Sequence, residues 1–510
     1  MIGGTVSAAV RGRSIELATW LGLALLLAVA ALALEPAVTG DGACYLSMLT
    51  GLAEHGSPEV TEAIGHSVQD RIGVRCDGLT ERAASGRVYA LHFFAYPLLC
   101  VPAYALLQLA GADTLRAFQL TNAVLLAAAL LYVLLLSAQS RVVRMSCAGL
   151  VVLSSGSFYF QWTDPGLFST ALMLVSALAL VDRRYTLAAW AAGLSSLQNP
   201  PTALFLLPAL IAQALELRGR PRRETISGLL ASAAAAGLAL VPFAWNLTQF
   251  GRLLSIESVG FIRYLDPTLI GVRRLLLFVF DLNEGLIVGL PALLWLVPAA
   301  LLCRTLEARR DRRCLLRHED LVLVGFVLIA VPTLAQANWS AGQSVFNRYA
   351  AWAGMAPLVW AASALAGRRA AGLASVAAPA LLLQLGTWLY MGGMALALHP
   401  SSLALKPWVV PLWRALPHVY DPLPDVFAER LSGREVWAIE APVVLRDADG
   451  VILRVLGRGT RRREIGPEVC GEGGALVPAD ARRSSAAKTR STELGYTYLT
   501  GRLRCAAPAE

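Results

Sequence analysis

The chain has 510 residues, of which 56% are hydrophobic and only 15% charged, with a formal net charge of +9. Soluble domains carry about a quarter charged residues, so this composition argues against a soluble enzyme and for a polytopic membrane protein. The positive balance is then no argument for a nucleic-acid partner, because basic residues in such a chain first mark the cytoplasmic loops.

Ile15 to Leu34 is the first apolar run near the roughly 20 residues that cross a bilayer. Arg11 and Arg13 before it place the N-terminus in the cytoplasm. The run is longer than the apolar part of a signal peptide and more runs follow, so it reads as a retained helix. The stretch TGDGACYLSMLTGLAEHGS, residues 39–57, comes next. Tyr45, Met48, Leu49 and Leu52 recur at helical spacing, while Asp41, Ser47, Glu54 and His55 stay off that face. This predicts an amphipathic helix lying on the membrane surface. Two readings of Asp41 stand side by side: an N-cap, for which Asp is preferred, or a group held at the surface for chemistry.

Residues 36–116 are polar and mixed in charge and read as an external segment. Within it, ALHFFAYPLLCVPAYALLQLA (90–110) is long enough to span, but spanning would reverse the sidedness of Arg141, Arg144, Arg183 and Arg184. It reads as an interfacial or re-entrant element broken by Pro97 and Pro102. Further crossings are expected at 117–138, 145–162, 166–181, 185–197, 202–216, 227–246, 284–303, 320–336, 350–366 and 371–395. The path has about eleven crossings, with every Arg-rich connection on one side. The expected fold is therefore an all-α polytopic membrane domain over 1–399 and a small, partly β external domain over 400–510. In the latter, VWAIEAPVVL and GVILRVLG alternate like strands around the turn Asp447–Gly450. Arg461, Arg462, Arg463, Arg482 and Arg483 read as a solvated face.

Cys44 and Cys76 fall in the first external segment, and Cys470 and Cys505 in the tail, giving two even sets for an oxidising compartment. Cys470–Cys505 is the expected disulfide, since no other tail cysteine is available. Cys44–Cys76 is the second candidate, subject to helix geometry. The remaining cysteines have no zinc spacing.

The polar residues that could carry chemistry collect on the external side: Asp41, His92, Asp164 in FQWTDPG, and Asn338, Trp339, Arg348 and Tyr349 in NWSAGQSVFNRY. Each has a plainer reading. Asp164-Pro165 is the pattern of an N-cap followed by proline. Arg348 and Tyr349 fit interface anchors, and His92 an interfacial residue.

In their order and placement these residues resemble the GT-C superfamily of polytopic glycosyltransferases, particularly bacterial members similar to protein O-mannosyltransferases and aminoarabinose transferases. The carrying stretches are Asp41 with Tyr45, LHFFAYPL, WTDPGLF, WSAGQSVFNRY and PHVYDPLPDVF, spread over residues 15 to 430. The resemblance implies a GT-C-like fold that moves a sugar from a polyprenyl-phosphate donor to a lipid, glycan or protein acceptor. The site would face the periplasm of a bacterial inner membrane. Asp41 would be the general base and Asp164 the second external acid. Arg348 would steady the departing phosphate, and Tyr45, His92 and Tyr349 would line the substrate. The chain departs from the family at Asp41-Gly42, where an Asp-Glu pair is usual, and at Leu91-His92-Phe93, where Lys-Pro-Pro is usual. No cofactor is implied with certainty, a divalent metal stays open, and the sugar identity does not carry over. Two other classes fit an apolar chain of this kind. A transporter or flippase would place charges within spans, and a non-catalytic scaffold would keep the fold without the chemistry.

Overall fold

The computed structural model describes residues 13–38, 40–76, 79–217, 221–253, 258–259, 262–263, 267–311, 317–336, 347–366, 370–393, 405–416, 421–434, 442–458, 462–479, 488–491 and 496–506. Within them the chain is mostly α-helical, with a small antiparallel sheet near its C-terminal end.

Helix α1 (Ser14–Ala33) is rich in Ala and Leu, good helix formers. It leaves Leu21, Leu25, Leu26 and Val29 exposed and lays its other side on α5 (Ala117–Leu131), where Trp20 Nε1 donates to the Ala127 carbonyl at 2.9 Å. Helix α2 (Gly42–His55) ends at Gly56, whose φ of 68° is the left-handed closure that glycine accepts without strain. Every residue of α2 from Gly42 to Gly51 is buried. This corrects the surface-lying helix expected there. The face opposite Tyr45, Met48 and Leu49 is covered as well, by the rest of the 36–116 segment. That segment folds over it as α3 (Glu62–Ile72), the hairpin β1 (Thr80–Arg82) and β2 (Val88–Ala90), and α4 (Ala95–Leu109). A Cys44–Cys76 disulfide ties α2 to the chain after α3.

The main core is formed by α5, α6 (Arg141–Val152), α7 (Ser155–Phe158), α8 (Gly166–Val181), α9 (Tyr185–Ser196) and α10 (Leu206–Leu217). It is completed by α11 (Arg222–Phe250), α12 (Val272–Phe280), α13 (Leu286–Gly289), α14 (Leu293–Asp311), α15 (Leu321–Thr333), α16 (Arg348–Ala353), α17 (Met355–Leu365) and α18 (Ala370–Tyr390). Helices α9 and α11 approach closely because Gly193 has no side chain: a Cβ there would sit 2.5 Å from the Ala235 carbonyl oxygen.

Among the described residues, four helical stretches are long and apolar enough to cross a membrane: Ser14–Ala33, Thr114–Leu136, Pro200–Leu217 and Thr225–Phe250. A fifth exists if Arg141–Val152 and Ser155–Gln161, bent by 42° at their break, count as one. This corrects the path of eleven crossings, and with it the polytopic GT-C-like fold class and the loop-by-loop sidedness of a multi-pass inner-membrane protein. The physical reason lies in helix length. A bilayer core of about 30 Å needs about 20 residues at about 1.5 Å each. Helices α8, α9, α15 and α17 have 16, 12, 13 and 11 residues. Their apolarity serves packing instead, and α17 is buried along its whole length. Breaks at Asn199-Pro200 and Gly354 divide runs that look continuous in the sequence. The 90–110 stretch is likewise a 15-residue helix, α4, with Pro102 inside it.

After α19 (Val409–Ala415) and α20 (Pro424–Ser432), the strands β3 (Val443–Arg446), β4 (Ile452–Arg458), β5 (Ala475–Pro478), β6 (Lys488–Ser491) and β7 (Tyr496–Ala506) form one antiparallel sheet. Its spatial order is β3-β4-β7-β5, with β6 also on β7. Trp413, Phe427 and Tyr498 fill the space between the two helices and the sheet. Helix α21 (Arg462–Cys470) is stapled to β7 by a Cys470–Cys505 disulfide. Arg461, Arg482 and Arg483 lie outside the described residues.

Candidate functional site

Two extended segments are drawn together before any side chain is considered. Ala37 N–H donates to the Gln161 carbonyl at 2.8 Å, and Thr163 N–H donates to the Ala37 carbonyl at 3.2 Å. This parallel bridge sets the residues after α1 beside those before α8. Gly42 is required at the contact, because a Cβ on it would sit 2.2 Å from Thr163 Oγ1. Asp41 and Asp164 therefore face one another across a junction fixed by main chain.

Arg348 enters from a third direction. Asn347 caps α16, its Oδ1 accepting from Tyr349 N at 2.9 Å and Ala350 N at 3.2 Å. Asn347 N–H in turn donates to the Glu284 carbonyl at 3.0 Å. From this pinned start, Arg348 Nη1 donates to Asp41 Oδ2 at 3.0 Å and to Asp164 Oδ2 at 2.8 Å. The Asp41 side chain makes no capping bond to α2, so of its two readings the cap is not the one its carboxylate serves. Asp164 does both: Oδ1 accepts from Gly166 N at 2.7 Å while Oδ2 meets Arg348.

The other candidates close the ring. His92 Nε2 lies 3.4 Å from Asp41 Oδ1, longer than a well-formed hydrogen bond. Its imidazole tilts at 38° against the Tyr45 ring, 5.3 Å between centroids. The Arg348 guanidinium lies 5.4 Å from the centre of the Tyr349 ring. Asp41, Tyr45, His92, Asp164, Arg348 and Tyr349 thus share one site, in which Asp41 and Arg348 are 307 positions apart in sequence. Asn338 and Trp339 lie outside the described residues.

The site is largely buried, and its two carboxylates differ. Burial alone would raise Asp41, but His92 and Arg348 outweigh it and hold the carboxyl well below the usual carboxylate range. Asp164 is raised: burial and the neighbouring Asp41 charge exceed the pull of Arg348 and the Gly166 N–H. Burial would lower Arg348, but Tyr349, Asp164 and Asp41 outweigh it and raise the guanidinium further above its ordinary value. The buried Arg348 Nε, Trp162 Nε1 and Thr163 Oγ1 have no hydrogen-bond partner among the described residues.

Sequence reasoning missed the support beneath the site. Glu284 and Arg430 form a fully buried ion pair, with Arg430 Nε donating to Glu284 Oε1 at 2.6 Å. Lys406 is buried beside them, its N–H donating to Asn283 Oδ1 at 3.1 Å. The pair links α20 to the Glu284 carbonyl that holds Asn347. The readable signal was DLNEG at 281–285, acidic residues directly before an apolar run, together with the Asn that precedes Arg348.

No family model, curated protein or solved structure matches the chain. No three His, Cys, Asp or Glu side chains among the described residues are arranged to hold a metal ion. With four or five membrane-length helices in place of eleven, these findings overturn the resemblance to GT-C glycosyltransferases. The glycosyltransferase activity, the polyprenyl-phosphate sugar donor and its acceptors, and the inner-membrane location with a periplasmic site go with it. The transporter and scaffold readings need the same multi-pass path and fall with it. Arg348 supplies a local reason: one of its nitrogens already serves two carboxylates, so it is not a free cation awaiting phosphate.

Proposed function

We propose that Asp41, Asp164, Arg348 and His92 form the binding site of a small ligand that presents a protonated amine or, more weakly, a hydroxyl. The observation that carries this reading is the sharing of one guanidinium nitrogen by two carboxylates in a largely buried site. The guanidinium balances one carboxylate, and the other is offset in part by the His92 imidazole, 3.4 Å from Asp41 Oδ1. Burying the excess charge is costly, so the site gains from a further proton or an incoming cation. Asp41 is the reachable carboxylate, with its side chain 17% exposed against 3% for Asp164. An ammonium there makes a charge-assisted hydrogen bond, and the Tyr45 and Tyr349 rings favour a cation near their faces. In the same frame Asp41 stays ionised and accepts a hydrogen bond from the bound amine or hydroxyl, while its raised neighbour Asp164 takes up protons first.

Titration calorimetry with ethanolamine, glycerol and acetate tests the reading. The amine should bind best and the carboxylate worst. Asp41→Asn should weaken amine binding by roughly tenfold or more, the worth of one hydrogen bond to a charged group. Acetate binding as tightly as ethanolamine, or an unchanged amine affinity in Asp41→Asn, would overturn it.

A further inference from the structure

A second site lies at the other end of α8, 16 residues and roughly 24 Å of helix from Asp164. There the chain turns through Asp182, Arg183 and Arg184 into α9. Arg183 has φ 58°, and it is the one non-glycine residue in the left-handed region among the described residues. Its N–H donates to the Leu180 carbonyl at 3.2 Å, and the Arg184 N–H to the Ala179 carbonyl at 2.8 Å. This is a helix-closing turn at which glycine is the usual occupant. An arginine kept at a strained position calls for a reason beyond the turn.

The turn opens on a cavity of about 640 Å³ between α9, α10 and α11, lined by Arg183, Arg184, Thr186, Trp190, Gln213 and Glu216 among others. That volume suits a small ligand or a head group. Its floor is polar and ordered. The buried Gln213 donates from Nε2 to Thr186 Oγ1 at 3.2 Å and to the Gly228 carbonyl at 3.1 Å, and accepts from Ser232 at Oε1. Glu216 is engaged by the Tyr185 hydroxyl. The Arg184 guanidinium lies 5.7 Å from the centre of the Tyr132 ring. Arg183 is exposed and makes no hydrogen bond or ion pair from its side chain to a described residue. Arg183, Arg184 and Glu216 thus line the mouth, with the Arg184 guanidinium turned to Tyr132, whose hydroxyl donates to Asp182 Oδ2 at 3.1 Å, and the N-terminal turn of α9 adds its own attraction for anions.

The walls are apolar on their outer sides. Ile211 and Leu215 on α10, and Ile226, Leu229 and Leu230 on α11, are all exposed. These two walls are also two of the four stretches long and apolar enough to cross a membrane. A cationic, hydrogen-bonding mouth beside exposed hydrocarbon fits a phosphate group, and the hydrocarbon favours one that carries acyl chains.

We propose that this cavity is a phosphate-binding site, held by Arg183 with Arg184 beside it, for the phosphomonoester of a lipid head group or of a small soluble molecule. Native mass spectrometry of the full chain, released from detergent with phosphatidic acid, phosphatidylcholine of the same chains, or inorganic phosphate, tests it. Phosphatidic acid should be retained over phosphatidylcholine. Arg183→Gly should weaken that retention by roughly tenfold, one charge-assisted bond. The same variant should melt no lower than wild type, because glycine takes a left-handed φ without strain. A simple folding defect would move both readings down together. Displacement of phosphatidic acid by inorganic phosphate assigns the site to small phosphates, and retention against it assigns the site to lipid. Equal retention of the two lipids, or full retention in Arg183→Gly, overturns the proposal.

Discussion

Arg348→Met removes the positive charge that touches both Asp41 and Asp164, the one such charge among the described residues, while keeping an unbranched side chain of similar length. Both carboxylate oxygens lie within 3.0 Å of the same nitrogen, so its loss leaves two buried acids facing each other at close range. Two unit charges about 5 Å apart at an effective dielectric of about 20 repel by roughly 3 kcal/mol. Breaking a buried pair from one side generally costs about 3–5 kcal/mol, so a loss of that size is expected near neutral pH. The loss should shrink in acid, and the sign follows from the two groups. Asp164 is raised in the folded protein, so it takes a proton first and relieves the repulsion. Asp41 owes its low value partly to Arg348, so in the variant it also protonates at higher pH than in wild type. Wild type itself should lose the Asp41 contribution only as pH falls below about 3.9, the unfolded value, toward the depressed folded one. Urea unfolding followed by tryptophan fluorescence, near pH 7 and again near pH 4.5, measures both effects. A loss that is equal at the two pH values would refute the electrostatic argument. So would a loss no larger than that of the exposed Arg87→Met.

Burial and Arg430 push the Lys406 amine down to about 7 despite Glu284 and Asp281. Its cost is therefore full below pH 7 and fades as pH rises toward its unfolded value of about 10.4. Lys406→Met should be more stable than wild type near pH 6 with the gain narrowing near pH 9, and urea midpoints showing the opposite trend would count against it. Gly193→Ala should cost about 1–3 kcal/mol, because the backbone oxygen of Ala235 cannot move aside. Gly237→Ala in the same helix pair meets nothing within 4 Å and should gain up to about 1 kcal/mol of helix propensity; thermal melts that rank the two the other way would refute the packing account. Cys470→Ser frees a loop with a sequence separation of 35 and should cost the C-terminal sheet about 3–4 kcal/mol, read as earlier proteolysis after residue 442.

Some of this protein was legible in its sequence for local reasons. Apolar periodicity marked the helices, and the alternation around Asp447–Gly450 marked the β3–β4 hairpin that closes with Gly450 at φ 79°. Asp41, Asp164 and Arg348 stood out because each is a charged residue placed where an apolar run begins or ends. What the sequence could not decide was the environment of those runs. A stretch of Ala, Leu and Val is apolar whether it meets lipid or other helices, so α8, α9 and α17 read as membrane crossings although they are short core helices. Nor could it decide whom the charges serve. A carboxylate beside a helix start caps that helix when it is alone. It binds a guanidinium when tertiary contacts carry one to within 3 Å, as happens between residues 184 and 307 positions apart. Local propensity acts over a few residues and is written in order along the chain. Pairing across the fold depends on which buried groups lose water together, and only the packed structure determines that.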